Sequence, residues 1–274
     1  MTTEILADRA LSQQLERAEG CSNASFVEAH ARLRPDAGAE WMEVAGAYAM
    51  FDGVHSPCTQ TFGLGIFQLP TSAELIAIEN FFKARGAPVF HEVSPLADKG
   101  LTAMLNERGY RPFEMSTVMY LPLGQRVERK VPNDAMHVRT VADDAEDREL
   151  FVRTFAEGWS EYAEYAEFMV EMARISAMTE GNVPFIAELE GQAVACGSLS
   201  IRDGVALFAG ASTVPAFRRR GAQQALLEAR FRYARDVGCD LALMAADPGS
   251  GSQRNAERQG FRIAYTRTKW KLAD

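Results

Sequence analysis

The run Thr213-Val214-Pro215-Ala216-Phe217-Arg218-Arg219-Arg220-Gly221-Ala222-Gln223-Gln224-Ala225-Leu226-Leu227 constrains this chain most, because it joins a strand end to a helix through a basic turn that carries a glycine. Before it, Gly204 to Val214 is small and apolar enough for a buried strand. After it, Ala225, Leu226, Ala229, Tyr233 and Val237 recur at three- and four-residue steps. That spacing predicts a helix whose opposite face holds Gln223, Gln224, Glu228, Arg230 and Arg232, with Gly238 as its stop.

A helix that starts in such a turn leaves its first amide N–H groups without intrahelical partners, and they carry the positive end of the helix dipole. Gly221 lets a ligand approach the backbone, and three arginines raise the local potential, so the turn suits a phosphate. A Walker A loop is excluded, since no Lys-Ser or Lys-Thr pair follows a glycine here.

Arg218-Arg219-Arg220-Gly221-Ala222-Gln223 resembles the Gln/Arg-x-x-Gly-x-Gly/Ala signature of the GNAT superfamily of N-acetyltransferases, with Gln223 in place of the final small residue. The order that follows is also similar to the family's: an apolar strand at Leu241-Ala242-Leu243-Met244-Ala245-Ala246, a Pro-Gly-Ser turn, a short helix, Gly260-Phe261 and a last strand. The resemblance implies an α/β fold of two GNAT-like units, each a mixed, mostly antiparallel sheet flanked by helices. It implies acetyl-CoA as co-substrate, its pyrophosphate held by Thr213, Val214, Arg218, Arg219, Arg220, Gly221, Ala222, Gln223 and Gln224, and no metal. It further implies direct transfer of an acetyl group to an amine. Many relatives protonate the leaving thiolate with a tyrosine four residues before the Gly-Phe corner; Ala256 stands there, so the catalytic residues are left unassigned. Ser252 and Asn255 remain as contacts for the pantetheine arm or sulfur, Asn255 being preferred, while Ser252 serves equally well as a helix cap. The missing tyrosine keeps a second reading open, a non-catalytic protein that senses acyl-CoA. A structural or interaction role is the third.

At 274 residues the chain is long enough for two domains. The net charge of -8 argues against a nucleic-acid partner. No apolar run approaches the ~20 residues that span a bilayer, so no membrane association and a cytoplasmic location are expected. Cys21, Cys58, Cys196 and Cys239 are scattered singly, which suggests neither a zinc site nor a disulfide framework. His30, His55, His91 and His137 show no partner pattern.

The charged segment Gly124 to Asn133 reads as a linker, dividing a first domain, 1–125, from a second, 134–274, which opens on the strand-like Met136-His137-Val138-Arg139. Asp143 or Asp144 caps the helix through Leu150 and Phe155. The halves read as a repeat: Gly86 and Gly238 stand 152 residues apart, Gly109 and Gly260 151. The counterpart of the basic turn falls near Phe67-Gln68-Leu69-Pro70-Thr71-Ser72, which has no glycine or arginine, so the first half reads as a degenerate copy. Covering the catalytic half, shaping an acceptor pocket and assembling a homodimer are the roles open to it.

The acceptor is expected to be a small-molecule amine or a peptide. Trp159, Tyr162, Tyr165, Phe168, Met169 and Met172, interleaved with Glu157, Glu161, Glu164, Glu167 and Glu171, suit a cation. Their helical spacing favours the plainer reading, that Tyr162, Tyr165, Met169 and Met172 form one core face with solvated glutamates opposite.

Overall fold

A computed structural model describes residues 5–126 and 133–273. In chain order the elements are α1 (Arg9–Leu33), β1 (Glu40–Val44), β2 (Ala47–Phe51), β3 (Gln60–Phe62), α2 (Ser72–Lys83), β4 (Phe90–Val93), α3 (Lys99–Glu107), β5 (Tyr110–Pro122), β6 (Met136–Thr140), α4 (Ala145–Glu157), α5 (Ala166–Ala177), β7 (Asn182–Leu189), β8 (Gln192–Arg202), β9 (Val205–Thr213), α6 (Ala222–Asp236), β10 (Leu241–Ala246), α7 (Gly251–Arg258) and β11 (Arg262–Leu272). This is a mixed α/β fold built on mostly antiparallel sheet flanked by helices. No helix among the described residues is long and apolar enough to cross a membrane.

Two compact units divide the chain: Met1–Leu121 with Leu243–Asp274, and Pro122–Ala242. The expected second domain, 134–274, is therefore corrected at its C-terminal end. The reason is strand pairing: β11 lies antiparallel to β4, with Thr268 opposite Val93, and to β5, with Thr266 opposite Thr117. Most of the expected linker, 127–132, lies outside the described residues.

In the first unit the strand order is β1-β2-β3-β4-β11-β5. Helix α1, which the sequence reading did not anticipate, is capped by Asp8 accepting from the Leu11 amide, and buries Leu11, Leu15, Ala18 and Val27. Leu75, Ile78 and Phe82 of α2 pack with Leu101 and Leu105 of α3 in the main core cluster. Burying each of these side chains contributes about 1.5–3 kcal/mol. The elements α2-β4-α3-β5 recur in the same order as α6-β10-α7-β11. The paired glycines follow the helices with left-handed backbone, Gly86 at φ 64°, Gly238 at 84°, Gly109 at 85° and Gly260 at 98°.

The second unit is an antiparallel meander β6-β7-β8-β9. Successive residues of β7 face opposite sides. Phe185 meets Tyr233 of α6 edge-on, ring centroids 5.6 Å apart, while Ile186 packs with Phe151 and Val152 of α4. Helices thus cover both faces. Asp144 caps α4 by accepting from the Asp147 amide.

Candidate functional site

The basic turn forms where expected, and its geometry follows from local sequence. Val205 to Phe208 of β9 are buried, whereas Ala209, Gly210 and Ala211 are exposed. The strand then closes again: Ser212 is buried and its Oγ donates to the Phe155 carbonyl at 3.2 Å. The α4 C-cap, Gly158, lies so close that a Cβ there would come within 2.6 Å of the Ser212 side chain. After Val214, which is buried, Pro215–Phe217 makes one 3₁₀ turn, and Arg218, Arg219 and Arg220 follow, all exposed.

Arg219 holds φ 65° and Gly221 φ 91°. Left-handed backbone at a non-glycine residue costs roughly 1–2 kcal/mol, so Arg219 is strained where the chain turns into α6. That helix has Gly221 as N-cap, no side-chain cap and no acidic residue in its first turn. Its first turn therefore lies at the positive end of the helix dipole with no side-chain cap over it. Gln223, the departure from the family signature, does not fill the mouth. Its Nε2 turns back to donate to the Ser212 carbonyl at 3.1 Å and to Thr213 Oγ1 at 2.7 Å, tying the helix start to the strand end.

Arg218 is already engaged: one arm pairs with Glu161, and Nη2 donates to the Gly158 carbonyl at 3.2 Å. Arg220 stands 5.2 Å from the Phe217 ring centroid. Ala222 is buried and Gln224 half-buried. Thr213, Val214 and Arg218 to Gln224 thus share one continuous turn. Asn255 sits exposed on α7, in the first unit, and its Oδ1 accepts from Arg258 Nη1 at 3.3 Å. Ser252 is exposed on the same helix but does not cap it; Ser250 does, accepting from the Gln253 amide. Ala256, at the place of the family's tyrosine, is buried.

The acceptor-side segment departs from the one-face reading. Tyr162 and Tyr165 are 49% and 50% exposed, whereas Met169 and Met172 are half-buried on α5. The chain leaves α4 at Gly158 and runs through a 3₁₀ turn, Ala163–Tyr165, before α5 begins. A single helical period therefore never applied across it. Trp159 lies 6.0 Å from Tyr162, ring centroid to centroid, and its buried indole Nε1 has no partner among the described residues. Glu157, Glu161 and Glu164 are exposed beside these rings.

Two charged residues of α6 are also corrected. Glu228 and Arg230, expected on the polar face, are buried, while Val237, expected on the apolar one, is 50% exposed. Arg126, from the expected linker, donates to Glu228 at 2.9 Å and lies 3.9 Å from the Phe231 ring centroid. Arg230 sends Nε to the Leu226 carbonyl at 3.2 Å and Nη1 to the carbonyls of Ser198 and Ala209 at 3.1 and 3.4 Å. A signal for this was present: Arg230 stands four residues after Leu226 and four before Ala234, both buried. Cys196 lies fully buried on β8, and burial pushes its thiol up to about 12, so it stays protonated at neutral pH and is no nucleophile.

Residues 147–261 match the family model described as the acetyltransferase (GNAT) family. Solved structures share the fold. A GCN5-related N-acetyltransferase from Kribbella flavida is 20% identical, covers 92% of this chain and 96% of its own, and superposes with a TM-score of 0.64. A tandem GNAT protein from the clavulanic acid biosynthesis pathway is 14% identical over 83% of this chain and 79% of its own, at 0.59. A GCN5-related N-acetyltransferase from Sphaerobacter thermophilus is 15% identical over 96% and 94%, at 0.56. No curated protein sequence matches the chain.

Proposed function

We propose that the protein is an N-acetyltransferase that moves an acetyl group from acetyl-CoA to an amine, acting in the cytoplasm. The observation that carries this reading is the uncapped start of α6, with Gly221 in left-handed backbone behind three arginines, inside a stretch that matches the GNAT family. The turn fits a pyrophosphate: a helix start with no side-chain cap, a positive dipole end, a glycine where the ligand must approach, and three arginines before it. Acetyl-CoA supplies an activated thioester when bound. Ala209–Ala211, exposed in β9 one step before Ser212 and Thr213, give the extended arm a stretch of chain to follow.

Transfer is direct in this reading, since Cys196 is protonated and buried and cannot take the acyl group. The acceptor approaches from the exposed rings of Tyr162 and Tyr165 beside the half-buried Trp159, which with the neighbouring carboxylates suit a small cationic amine or a basic peptide end. With Ala256 in place of a tyrosine, water protonates the leaving thiolate. The N-terminal half is a degenerate copy of the same unit, supported by the repeated helix-strand-helix-strand order. The same alanine favours the second reading, an acyl-CoA sensor. Coenzyme A titration followed by acetyl-CoA turnover over an amine panel tests both. Binding without turnover leaves the sensor, and no binding overturns both.

A further inference from the structure

Arg230 is fully buried, yet its charge meets no carboxylate among the described residues; its partners are three backbone carbonyls. Its pKa is lowered to about 10 by burial, which leaves it protonated at neutral pH. Isolated buried charges are disfavoured, and folds that keep one hold it by dedicated contacts. Those contacts fall at one place. The β8–β9 ladder slips between Cys196, opposite Ser212, and Ser198, opposite Ala209, and Arg230 Nη1 donates to both Ser198 and Ala209 at the slip.

Two glycines make room. A Cβ on Gly197 would come within 3.0 Å of the Arg230 Cζ, and Gly210, at φ 57°, turns the chain just past the second carbonyl. A β-bulge redirects the groups beside it. Here the redirected groups are the backbone of Ala209, Gly210 and Ala211, exposed one step before the turn into α6.

We propose that Arg230 is a positioning residue of acyl transfer, fixing the bulge that presents the Ala209–Ala211 backbone and setting a buried positive charge behind the thioester. This rests on the acetyl-CoA reading above. In the step it serves, the amine lone pair forms the C–N bond and the carbonyl electrons move onto oxygen. Collapse breaks the C–S bond, its pair leaves on sulfur, and the proton lost by nitrogen passes through water to the thiolate. Negative charge thus builds first on oxygen and then on sulfur, and a fixed cation behind both lowers the barrier without reorganising.

The test uses the full chain with acetyl-CoA labelled with carbon-13 at the carbonyl. Calorimetry measures affinity, isotope-edited infrared difference spectra measure the bound carbonyl stretch, and thiol release measures turnover. Wild type should lower the stretch relative to free acetyl-CoA. Arg230→Met should bind within about threefold, lose most of that shift and turn over about 10²-fold more slowly. Arg230→Lys should keep most of the shift. A folded Arg230→Met that binds and keeps the wild-type stretch overturns the proposal. So does loss of affinity in step with the shift in both variants, which marks a structural role. If Arg230→Met does not fold, Gly197→Ala displaces the guanidinium instead, and an unchanged stretch there overturns the proposal as well. Wild-type protein that binds no acetyl-CoA overturns the acyl-transfer reading, and this one with it.

Discussion

Helices α2 and α6 both begin just past a strand, yet their first turns are finished in opposite ways. At α2, Thr71 and Glu74 form a capping box: Thr71 Oγ1 accepts from the Glu74 amide at 3.2 Å, and the Thr71 amide donates to the Glu74 carboxylate at 2.7 Å. The helix supplies its own anion, and the Glu74 pKa is lowered accordingly. The loop before it is packed as well. Arg9 and Gln13 of α1 donate to the Ile66 carbonyl, both at 3.0 Å, and Leu64 and Ile66 are fully buried. At α6 no side chain caps the turn, and Arg218, Arg219 and Arg220 precede it. One start carries its own anion, and the other carries none.

Buried arginine shows the same contrast. Arg267 of the first unit meets Glu19 and Glu92, each at 2.9 Å, and Glu16 at 3.6 Å. Arg230 of the second meets no carboxylate among the described residues; it donates to carbonyls and lies 5.2 Å from the Phe208 ring centroid. Arg267 sits among carboxylates, whereas the Arg230 charge is held by backbone carbonyls and an aromatic ring.

The largest effect should break the contrast at α6. Gly221→Glu brings a carboxylate to the turn in a backbone conformation that glycine alone adopts without cost. Coenzyme A binding should disappear from calorimetry while the circular dichroism spectrum is kept; unchanged affinity would remove the cradle from the mechanism. Wild type should bind one coenzyme A per chain, and a second equivalent site would refute the closed start of α2. Next, Arg218→Ala should weaken binding about tenfold, the worth of one charge-assisted contact. Glu161→Gln should strengthen it roughly two- to fivefold by freeing Arg218 from a half-exposed ion pair, 42% and 52% exposed. Equal affinities for both variants and wild type would show that Arg218 never meets the ligand.

Smaller effects test the first unit. Burial, only partly offset by Arg267, raises the Glu16 pKa to about 7 from the ordinary 4.5. The native state then holds a proton that the unfolded state has lost, so this group's contribution to stability is full below about 4.5 and fades as pH rises to about 7. Melting curves of Glu16→Gln should lose that slope; a slope identical to wild type would place the titration elsewhere. Thr71→Ala should cost roughly 1 kcal/mol of stability and leave coenzyme A affinity untouched. Smallest of all, Ser252→Ala should retain most turnover across the pH profile. A drop of about 10³-fold at unchanged affinity would make its hydroxyl the acid.

The parts legible in the sequence are those fixed by neighbours along the chain. The strand, basic turn and helix from Val205 to Asp236, the Asp144 cap and the glycine-marked helix ends all rest on propensity, periodicity and capping over a few residues. Where the structure differs from the local pattern, the cause lies beyond a few residues. A 3₁₀ turn interrupts the helical spacing from Tyr162 to Met172, and the partners that let Glu228 and Arg230 be buried lie far away in sequence. Arg126 is 102 residues from Glu228, and Arg267 is 248 from Glu19.

The sequence by itself determined the basic, glycine-bearing start of α6, because a helix start without a side-chain cap, a glycine and three arginines are local facts. Only the tertiary structure decided that β11 pairs with β4 and β5, that one buried arginine is neutralised and the other is not, and that Ala209–Ala211 stays open. Those outcomes depend on hydrogen bonds and charges brought together across long stretches of chain, and no local pattern carries that information.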